Sequence, residues 1–390
     1  MKEGVSKNCI IEISSYCVRM IVGFVMNDKP YILFASEKEC HGVTGGVISD
    51  KLEVRNIILK LKEEAESNLG IKITSCCLIL PPSRLLCLRN DDATNTVSPS
   101  NIINWVDIKN VLSKVAKINI SAGYKIINVV PYIYTLDDDK HVKNPYGQIA
   151  SELRVHANIY ALKDVLIDNY KSAFEDTDIY ISDLFVAPLC ASFYLSKLDE
   201  TPTHYFNLSI GEGIMSFSLV HNSFDIIKSC CYQFGGKYIT KAIQDQLGCS
   251  YNDAENYKKL YGICKSPNFK FLLKEDVEVS KIGDIIKDSF SKSLEDLKKN
   301  SQEWLVKEER NIPILLTGGT SKMKGLASFI QDELKQDTIL PNVKVLGARN
   351  PGYLNLIGGL LYKNYLISTS EPVLNIEKEN KDEFDLSREG

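Results

Sequence analysis

Two strand–turn–strand segments constrain the fold of this chain most. The first is CIIEISSYCVRMIVGFV, residues 9–25, and the second is YFNLSIGEGIMSFSLV, residues 205–220. In each, apolar runs flank a turn of small or polar residues, and successive backbone N–H groups in such a turn form a concavity that binds anions. Two such turns facing each other across a cleft can grip the phosphates of a nucleotide. Because hairpins are common, the same two segments can equally be hairpins and no more.

Strands alternate with helices along most of the chain. Residues 51–69 form a helical pattern that Asp50 can cap, with Glu53 reaching back to complete a capping box and Gly70 ending the helix. Residues from about 83 to 161 are typical of an inserted α+β unit, with a polar loop at 90–101, a helix near 106–117 and long strands after it. The alternation predicts α/β layers with mixed sheets.

Composition and cysteine usage exclude several classes of protein. A net charge of -4 without a basic run argues against nucleic-acid binding. The 11 cysteines are odd in number, include adjacent pairs and form no CxxC, which indicates reduced thiols rather than disulfides. No signal-peptide pattern and no apolar run of about 18 residues is present, so we expect a cytoplasmic protein without a membrane span.

Several motifs, in order along the chain, resemble the FtsA family of bacterial cell-division proteins within the actin/Hsp70/sugar-kinase superfamily. The most specific lies in the inserted unit, VVPYIYTLDDDKHVKNPYGQIASELRVHANIY, where the family has a subdomain called 1C. Further matches are HGVTGGVISD upstream and FGGKYITKAI, AENYKKLYG, ILLTGGTSKMKGL and NPGYLNLIGGLLY downstream. The positions of the inserted unit that match are Pro131, Asp137, Asn144, Pro145, Gly147, Leu153 and His156.

The resemblance implies an α/β, actin-like two-lobed fold with an FtsA-type inserted subdomain 1C. The final segment, from residue 371, is acidic and poor in apolar residues, so we expect a disordered tail. The implied limits are 1–83, 162–200 and 347–370 for subdomain 1A, 84–161 for 1C, 201–228 and 304–346 for 2A, 229–303 for 2B, and 371–390 for the tail.

The resemblance also implies a function. An FtsA-like chain binds ATP or ADP between the lobes, self-associates into filaments and links filaments of the tubulin-like protein FtsZ to other divisome proteins. By this resemblance FtsZ docks on about residues 229–303, and subdomain 1C contacts a neighbouring subunit or later partners. The implied location is the division site, on the inner face of the cell membrane. Membrane association would be indirect or weak, because the acidic tail lacks the basic, apolar-faced helix that anchors the family.

The residues expected to hold the nucleotide come from both halves of the chain. The two turns are expected at the phosphates, and the glycine pair before KYITKAI and the strand-to-helix turn after IPILL are expected on the adenosine side. Without the resemblance, a glycine pair is equally a connection that needs a positive φ. The candidates are Ser14, Ser15, Gly211, Glu212, Gly213, Gly235, Gly236, Lys281, Asp284, Gly318, Gly319 and Thr320.

The second turn departs from the family at the positions that serve the metal. The family has aspartates where this chain has Ser209 and Ser216, and a glycine where it has Glu212. Ordering Mg²⁺ or an attacking nucleophile needs fixed negative charge, which a hydroxyl does not supply. Glu212 can partly compensate, or its carboxylate can repel a triphosphate. Mg²⁺ can accompany the nucleotide, but with degenerate ligands, so we expect at most trace ATPase activity.

Three alternatives remain open at this point. The cleft can be vestigial and hold nothing. The chain can be an active ATPase or phosphotransferase of the superfamily, which requires a carboxylate on the metal or nucleophile. It can also be an actin-like adaptor of pilus assembly, a class that shares the inserted subdomain.

Overall fold

The computed structural model describes residues 6–137, 139–263, 272–274, 277–305 and 312–368. The acidic tail that the sequence predicts to be disordered lies outside these residues. The elements before and within the insertion are β1 (Asn8–Ile13), β2 (Cys17–Met26), β3 (Lys29–Glu39), β4 (Val43–Thr44), β5 (Val47–Ile48), α1 (Lys51–Leu69), β6 (Ser75–Leu80), β7 (Leu86–Asn95), α2 (Trp105–Val115), β8 (Tyr124–Leu136), β9 (His141–Val142) and β10 (Glu152–Lys163).

The chain then completes the first lobe and builds the second before its last helix returns to the first. These elements are α3 (Asp164–Lys171), β11 (Tyr180–Val186), α4 (Ala187–Leu195), β12 (Tyr205–Ile210), β13 (Met215–His221), β14 (Asp225–Tyr232), α5 (Gly236–Leu247), α6 (Tyr251–Tyr261), β15 (Leu272–Lys274), β16 (Val277–Glu278), α7 (Ser280–Trp304), β17 (Ile314–Thr317), α8 (Leu326–Leu334), β18 (Thr338–Ile339) and α9 (Leu354–Ser368).

Each lobe is built on a five-stranded sheet of the same pattern over the described residues. The strand order is β11-β6-β1-β2-β3 in lobe 1 and β14-β13-β12-β17-β18 in lobe 2. In both, an antiparallel meander supplies three strands, and its first strand pairs in parallel with the next strand of the sheet. The mixed α/β layers expected from the sequence are confirmed, and the two hairpins are equivalent elements of the two sheets.

The insertion has a sheet and a core of its own. Its strand order is β7-β10-β8-β9, and α2 packs its buried apolar side chains against this sheet. The predicted loop at 90–101 is wrong for its first part, because β7 continues to Asn95 and pairs with β10 along its whole length. Its polar residues suit an edge strand, where charged side chains are tolerated. Asp91 accepts from Arg154 across the pair at 2.8 Å.

Local capping at α1 differs from the prediction in one detail. Asp50 caps the helix through the backbone N–H of Glu53 at 3.0 Å, and Gly70 ends it with a φ of 63°. Glu53 does not complete a capping box, because the Asp50 N–H already donates to the Gly42 carbonyl at 3.1 Å. The Glu53 carboxylate instead accepts from the His41 N–H at 2.7 Å, which fixes the loop before the helix.

Candidate functional site

A cavity of about 500 Å³ lies between the lobes, and both hairpin turns line it. The turn between β1 and β2 contributes from lobe 1, the turn between β12 and β13 from lobe 2, and the turn after β17 closes the lobe 2 side. Most of the predicted residues therefore come together. Those lining the cavity are Ser14, Ser15, Gly211, Glu212, Gly213, Gly318, Gly319 and Thr320.

The two turns meet at Ser15 and Gly213. A Cβ at Gly213 would lie 2.6 Å from Ser15 Oγ, so only glycine permits this approach. Ser14 serves its own turn, since its hydroxyl donates to the Cys17 carbonyl at 2.8 Å. Ser15 Oγ, in contrast, is shielded from solvent and finds no hydrogen-bond partner among the described residues. A buried hydroxyl without a partner is costly, and a phosphate oxygen between the turns would satisfy it.

Four predicted residues lie outside the cavity lining. Lys281 and Asp284 are exposed in the N-terminal part of α7, where Asp284 accepts from Lys287 at 3.3 Å. Gly235 and Gly236 are buried beneath the second phosphate turn. The N–H groups of Gly236 and Lys237 donate to the carbonyls of Gly211 and Glu212, both at 2.9 Å. In this structure the glycine pair therefore holds the turn rather than facing the cavity.

The base of the second turn carries hydroxyls where a metal would need acids. Ser209 and Ser216 are directly opposite each other in the β12–β13 pair, and both line the cavity. Within the described part of the chain, no group of three histidine, cysteine or acidic side chains is arranged to hold a metal ion. The donor set therefore fits a phosphate, through Ser15 and the turn amides, and does not fit a divalent cation held by protein carboxylates.

The lobe 1 wall carries a charged cluster that the sequence analysis did not identify. Arg19 on β2 lines the cavity and donates through Nε to Glu37 at 2.7 Å, with its guanidinium 5.9 Å from the ring centre of Tyr353. Glu12 at the end of β1 accepts from Asn355 Nδ2 at 2.6 Å. Burial raises the pKa of Glu12, although Arg19 and Asn355 partly oppose this. The predicted hairpin was the available signal, because its antiparallel register pairs Arg19 with Glu12 beside the first turn.

The lobe 2 wall adds a second cluster, from α6. Lys258 is buried and its Nζ contacts the carboxylate of Glu255 at 2.7 Å, the Gly236 carbonyl at 3.0 Å and Thr240 Oγ1 at 2.8 Å. Lys259 also reaches Glu255, at 3.2 Å, but is largely exposed. Burial raises the pKa of Glu255, yet the hydrogen bonds from Lys258 and Thr240 outweigh it and leave that pKa below its usual value. The sequence carries a signal for this ion pair: in AENYKKLYG, Glu255 and Lys258 are three residues apart, which places them on one face of a helix.

Two lobes on equivalent sheets, with a cleft between paired turns, define an actin-like protein. Family models match residues 87–161, as the SHS2 domain inserted in FtsA, and residues 208–358, as cell division protein FtsA. Together the two matches take in more than half of the sequence. The chain belongs to the FtsA family of cell-division proteins, and its insertion is the domain characteristic of that family.

Individual relatives agree with this assignment over nearly the whole chain. Cell division protein FtsA of Enterococcus hirae is 24% identical over 358 residues, which are 89% of this chain and 80% of that protein. FtsA of Bacillus subtilis is 22% identical over 361 residues, covering 89% and 81% respectively. FtsA of Escherichia coli K12 is 22% identical over 378 residues, which are 90% of this chain and 89% of that protein.

Solved structures show the same fold. The PilM-PilN type IV pilus biogenesis complex gives a TM-score of 0.63 at 17% identity, covering 91% of this chain and 98% of that chain. MreB5 of Spiroplasma citri bound to ADP gives a TM-score of 0.56 at 12% identity, covering 94% and 99%. The same protein bound to AMPPNP gives 0.54 at 13% identity, covering 93% and 98%. At these identities the likeness establishes the actin-like fold alone.

Across the ranges that the structure describes, no helix combines the length and apolar character needed to cross a bilayer.

Proposed function

We propose that this chain is a cell-division scaffold that binds adenine nucleotide in its interlobe cleft with at most trace hydrolysis. One observation carries the proposal. The two turns converge on the unpartnered hydroxyl of Ser15, while Ser209 and Ser216 occupy the positions from which carboxylates would act on a metal. The anion-binding half of the site is present and the metal-holding half is absent from the described residues.

The walls of the cavity support an adenine nucleotide as the ligand. Arg19 supplies a guanidinium on the lobe 1 side, and Gly319 offers open backbone on the lobe 2 side, with no atom within 4 Å of the place where its Cβ would be. Structures of MreB5 that share this fold hold ADP or AMPPNP. Phosphate binding by Ser15, turn amides and a guanidinium needs no protein-held metal, because all of these are hydrogen-bond donors.

The same geometry argues against the phosphotransferase alternative. Hydrolysis or transfer requires an acid that orders the nucleophile or the metal at the phosphate. The acids of the cavity are committed elsewhere: Glu12 to Asn355, Glu37 to Arg19, and Glu255 to its two lysines. The remaining acid, Glu212, lies at the tip of the turn rather than at its base.

We expect calorimetry to detect ADP and ATP binding by the full chain, with no phosphate release above a nucleotide-free control. Ser15→Ala should weaken ATP binding about tenfold, since a hydrogen bond to a charged group contributes about 1.5 kcal/mol. Ser14→Ala is the matched control, because the Ser14 hydroxyl is already bonded within its own turn. Absence of any nucleotide binding would support the vestigial cleft instead, and steady turnover would support the enzyme.

The wider role in division follows from membership of the family. We propose that the chain self-associates, docks FtsZ on about residues 229–303, and contacts other divisome proteins through the insertion, at the division site. The insertion has a surface suited to protein contact: Ile149 is 73% exposed, and Trp105 and Tyr146 are stacked with ring centres 4.3 Å apart. Exposed apolar side chains grouped on one unit are typical of interaction sites.

FtsZ binding can be tested by co-sedimentation with assembled FtsZ filaments. Leu260 on α6 is 58% exposed, the most of any large apolar side chain described within 229–303. We expect Leu260→Glu to reduce the pelleted fraction at least fivefold, because it places a charge where an apolar contact would be buried. Val165→Glu is the control, since Val165 is 75% exposed on α3 of the other lobe. Equal binding by both variants would contradict the docking region, and no binding by the wild-type chain would contradict the linking role.

A further inference from the structure

Glu212 stands at the tip of the second phosphate turn, and its side chain lies within the cleft. The residue is part-buried and lines the cavity. Its Oε2 is only 2.5 Å from the place where a Cβ of Gly236 would be, and its Oε1 accepts from the Tyr251 hydroxyl at 3.5 Å. The carboxylate is therefore folded against the start of α5 instead of extending into solvent.

The turn that carries Glu212 is fixed by its backbone. The carbonyls of Gly211 and Glu212 accept from the first two N–H groups of α5, and Gly211 also accepts from Thr320 Oγ1 at 2.9 Å. A ligand cannot move this carboxylate aside by shifting the turn without breaking these hydrogen bonds. Only rotation of the Glu212 side chain itself remains available.

The charge of Glu212 is poorly compensated where it lies. Lys258, the nearest buried cation, is committed to Glu255, the Gly236 carbonyl and Thr240, and no described lysine or arginine forms an ion pair with Glu212. Burial raises the pKa of Glu212, with Lys258 and Lys259 opposing this and Glu255 adding to it. The ionised form of Glu212 faces any further anion that enters the cleft, because its side chain lines the cavity.

We propose that Glu212 is a specificity-determining residue that makes the cleft discriminate against adenosine ligands with a high phosphate charge. The inference rests on the proposed nucleotide binding and deepens it. The two turns meet at Ser15 and Gly213, and Glu212 lines the same cavity next to Gly213, so phosphates bound at these turns lie beside its carboxylate. Each phosphate charge held within about 8 Å of a carboxylate at an effective dielectric constant near 20 weakens binding at least tenfold. Adenosine carries no such charge and is unaffected.

The test measures dissociation constants of adenosine, ADP and ATP by calorimetry, in EDTA and again with Mg²⁺. It compares the wild-type chain with Glu212→Gln, which keeps the shape of the side chain, and with Glu212→Gly, which removes it. Glu295→Gln is the matched control, because it removes the same unit charge at an exposed position of α7 outside the cavity. Thermal unfolding of each variant establishes that the fold is retained.

In EDTA, both Glu212 variants should bind ATP at least tenfold more tightly than the wild-type chain, with a smaller gain for ADP. Their affinity for adenosine should change less than twofold. The Glu295→Gln control should bind all three ligands like the wild-type chain. An unaltered ratio of ATP to adenosine affinity would overturn the inference while leaving the nucleotide site intact. A Mg²⁺-dependent gain in ATP affinity that Glu212→Gln abolishes would also overturn it, since Glu212 would then be a metal ligand. If no ligand bound to any variant, the proposed nucleotide binding would fail together with the inference.

Discussion

Gly358→Ala is expected to destabilise the first lobe by about 3 kcal/mol, at the upper end for an overpacked core. Gly358 lies in α9 where this helix crosses α4, and a Cβ there would overlap the carbonyl oxygen of Cys190. The obstacle is backbone, so no side-chain rotation relieves it and the two helices must separate. Alanine favours a helix over glycine by about 1 kcal/mol, which offsets only part of the loss.

Gly359→Ala provides the control for this prediction. It makes the same change one residue further along α9, but its Cβ would meet side-chain atoms and no backbone: methyl groups of Ile10 and Ile79 at 3.3 Å and Cys190 Sγ at 3.5 Å. These can adjust, so the gain in helix propensity and the small clash should cancel to within about 1 kcal/mol. The unfolding free energies of both variants can be measured by urea denaturation, with circular dichroism as the probe of folding. Equal midpoints for the two variants would show that α4 and α9 do not pack as closely as the structure has them.

The sequence was most informative where a local pattern determines a local structure. The hairpin turns, the inserted unit and the cap by Asp50 follow from alternation, turn residues and capping side chains, and the structure has all of them. The two turns alone were equally compatible with plain hairpins, and the prediction of a nucleotide cleft came from the resemblance to the FtsA family. These features are determined by residues that are close together in the sequence.

Helix α4 and strand β14 are among the elements that were not identified from the sequence, and their patterns are ambiguous. The helix α4, APLCASFYL, is apolar on every side and fully packed, so it lacks the periodicity that distinguishes a helix from a strand. The strand β14 was not identified after β13, although it completes the meander of lobe 2. In both cases only the tertiary packing decides the conformation.

Contacts between separate elements within each lobe were not identified from the sequence. Arg19 and Glu37 meet on neighbouring strands, and Gly236 packs beneath Glu212 at a separation of more than twenty residues. Gly235 and Gly236 were predicted on the adenosine side of the site, and the structure places them under the turn, a position that depends on how α5 meets β12. Patterns in the sequence locate such residues, but the three-dimensional arrangement decides what they touch.

Lys258→Met is expected to destabilise the second lobe by about 3 kcal/mol at pH 7. The buried ammonium holds Glu255, the Gly236 carbonyl and Thr240, and removing one partner of a buried ion pair typically costs about 3–5 kcal/mol. We take the lower end because Glu255 keeps Thr240 and Lys259 as partners. Lys259→Met is the matched control: it contacts the same carboxylate from a side chain that is 64% exposed, so its loss should stay below about 1 kcal/mol.

The stability difference between the wild-type chain and Lys258→Met should depend on pH. Loss of packing alone would give a difference that does not change with pH. In the wild-type chain the pKa of Glu255 is lowered on folding, so its stabilising contribution is present at neutral pH and is lost as the pH falls through that pKa. Without Lys258 the burial of Glu255 is no longer outweighed, its folded pKa rises, and acid then favours the folded variant. The stability gap between the two proteins should therefore narrow between pH 7 and pH 4, as measured by urea midpoints. A gap that stays constant over this range would show that Lys258 acts through its aliphatic packing and not through its charge on Glu255.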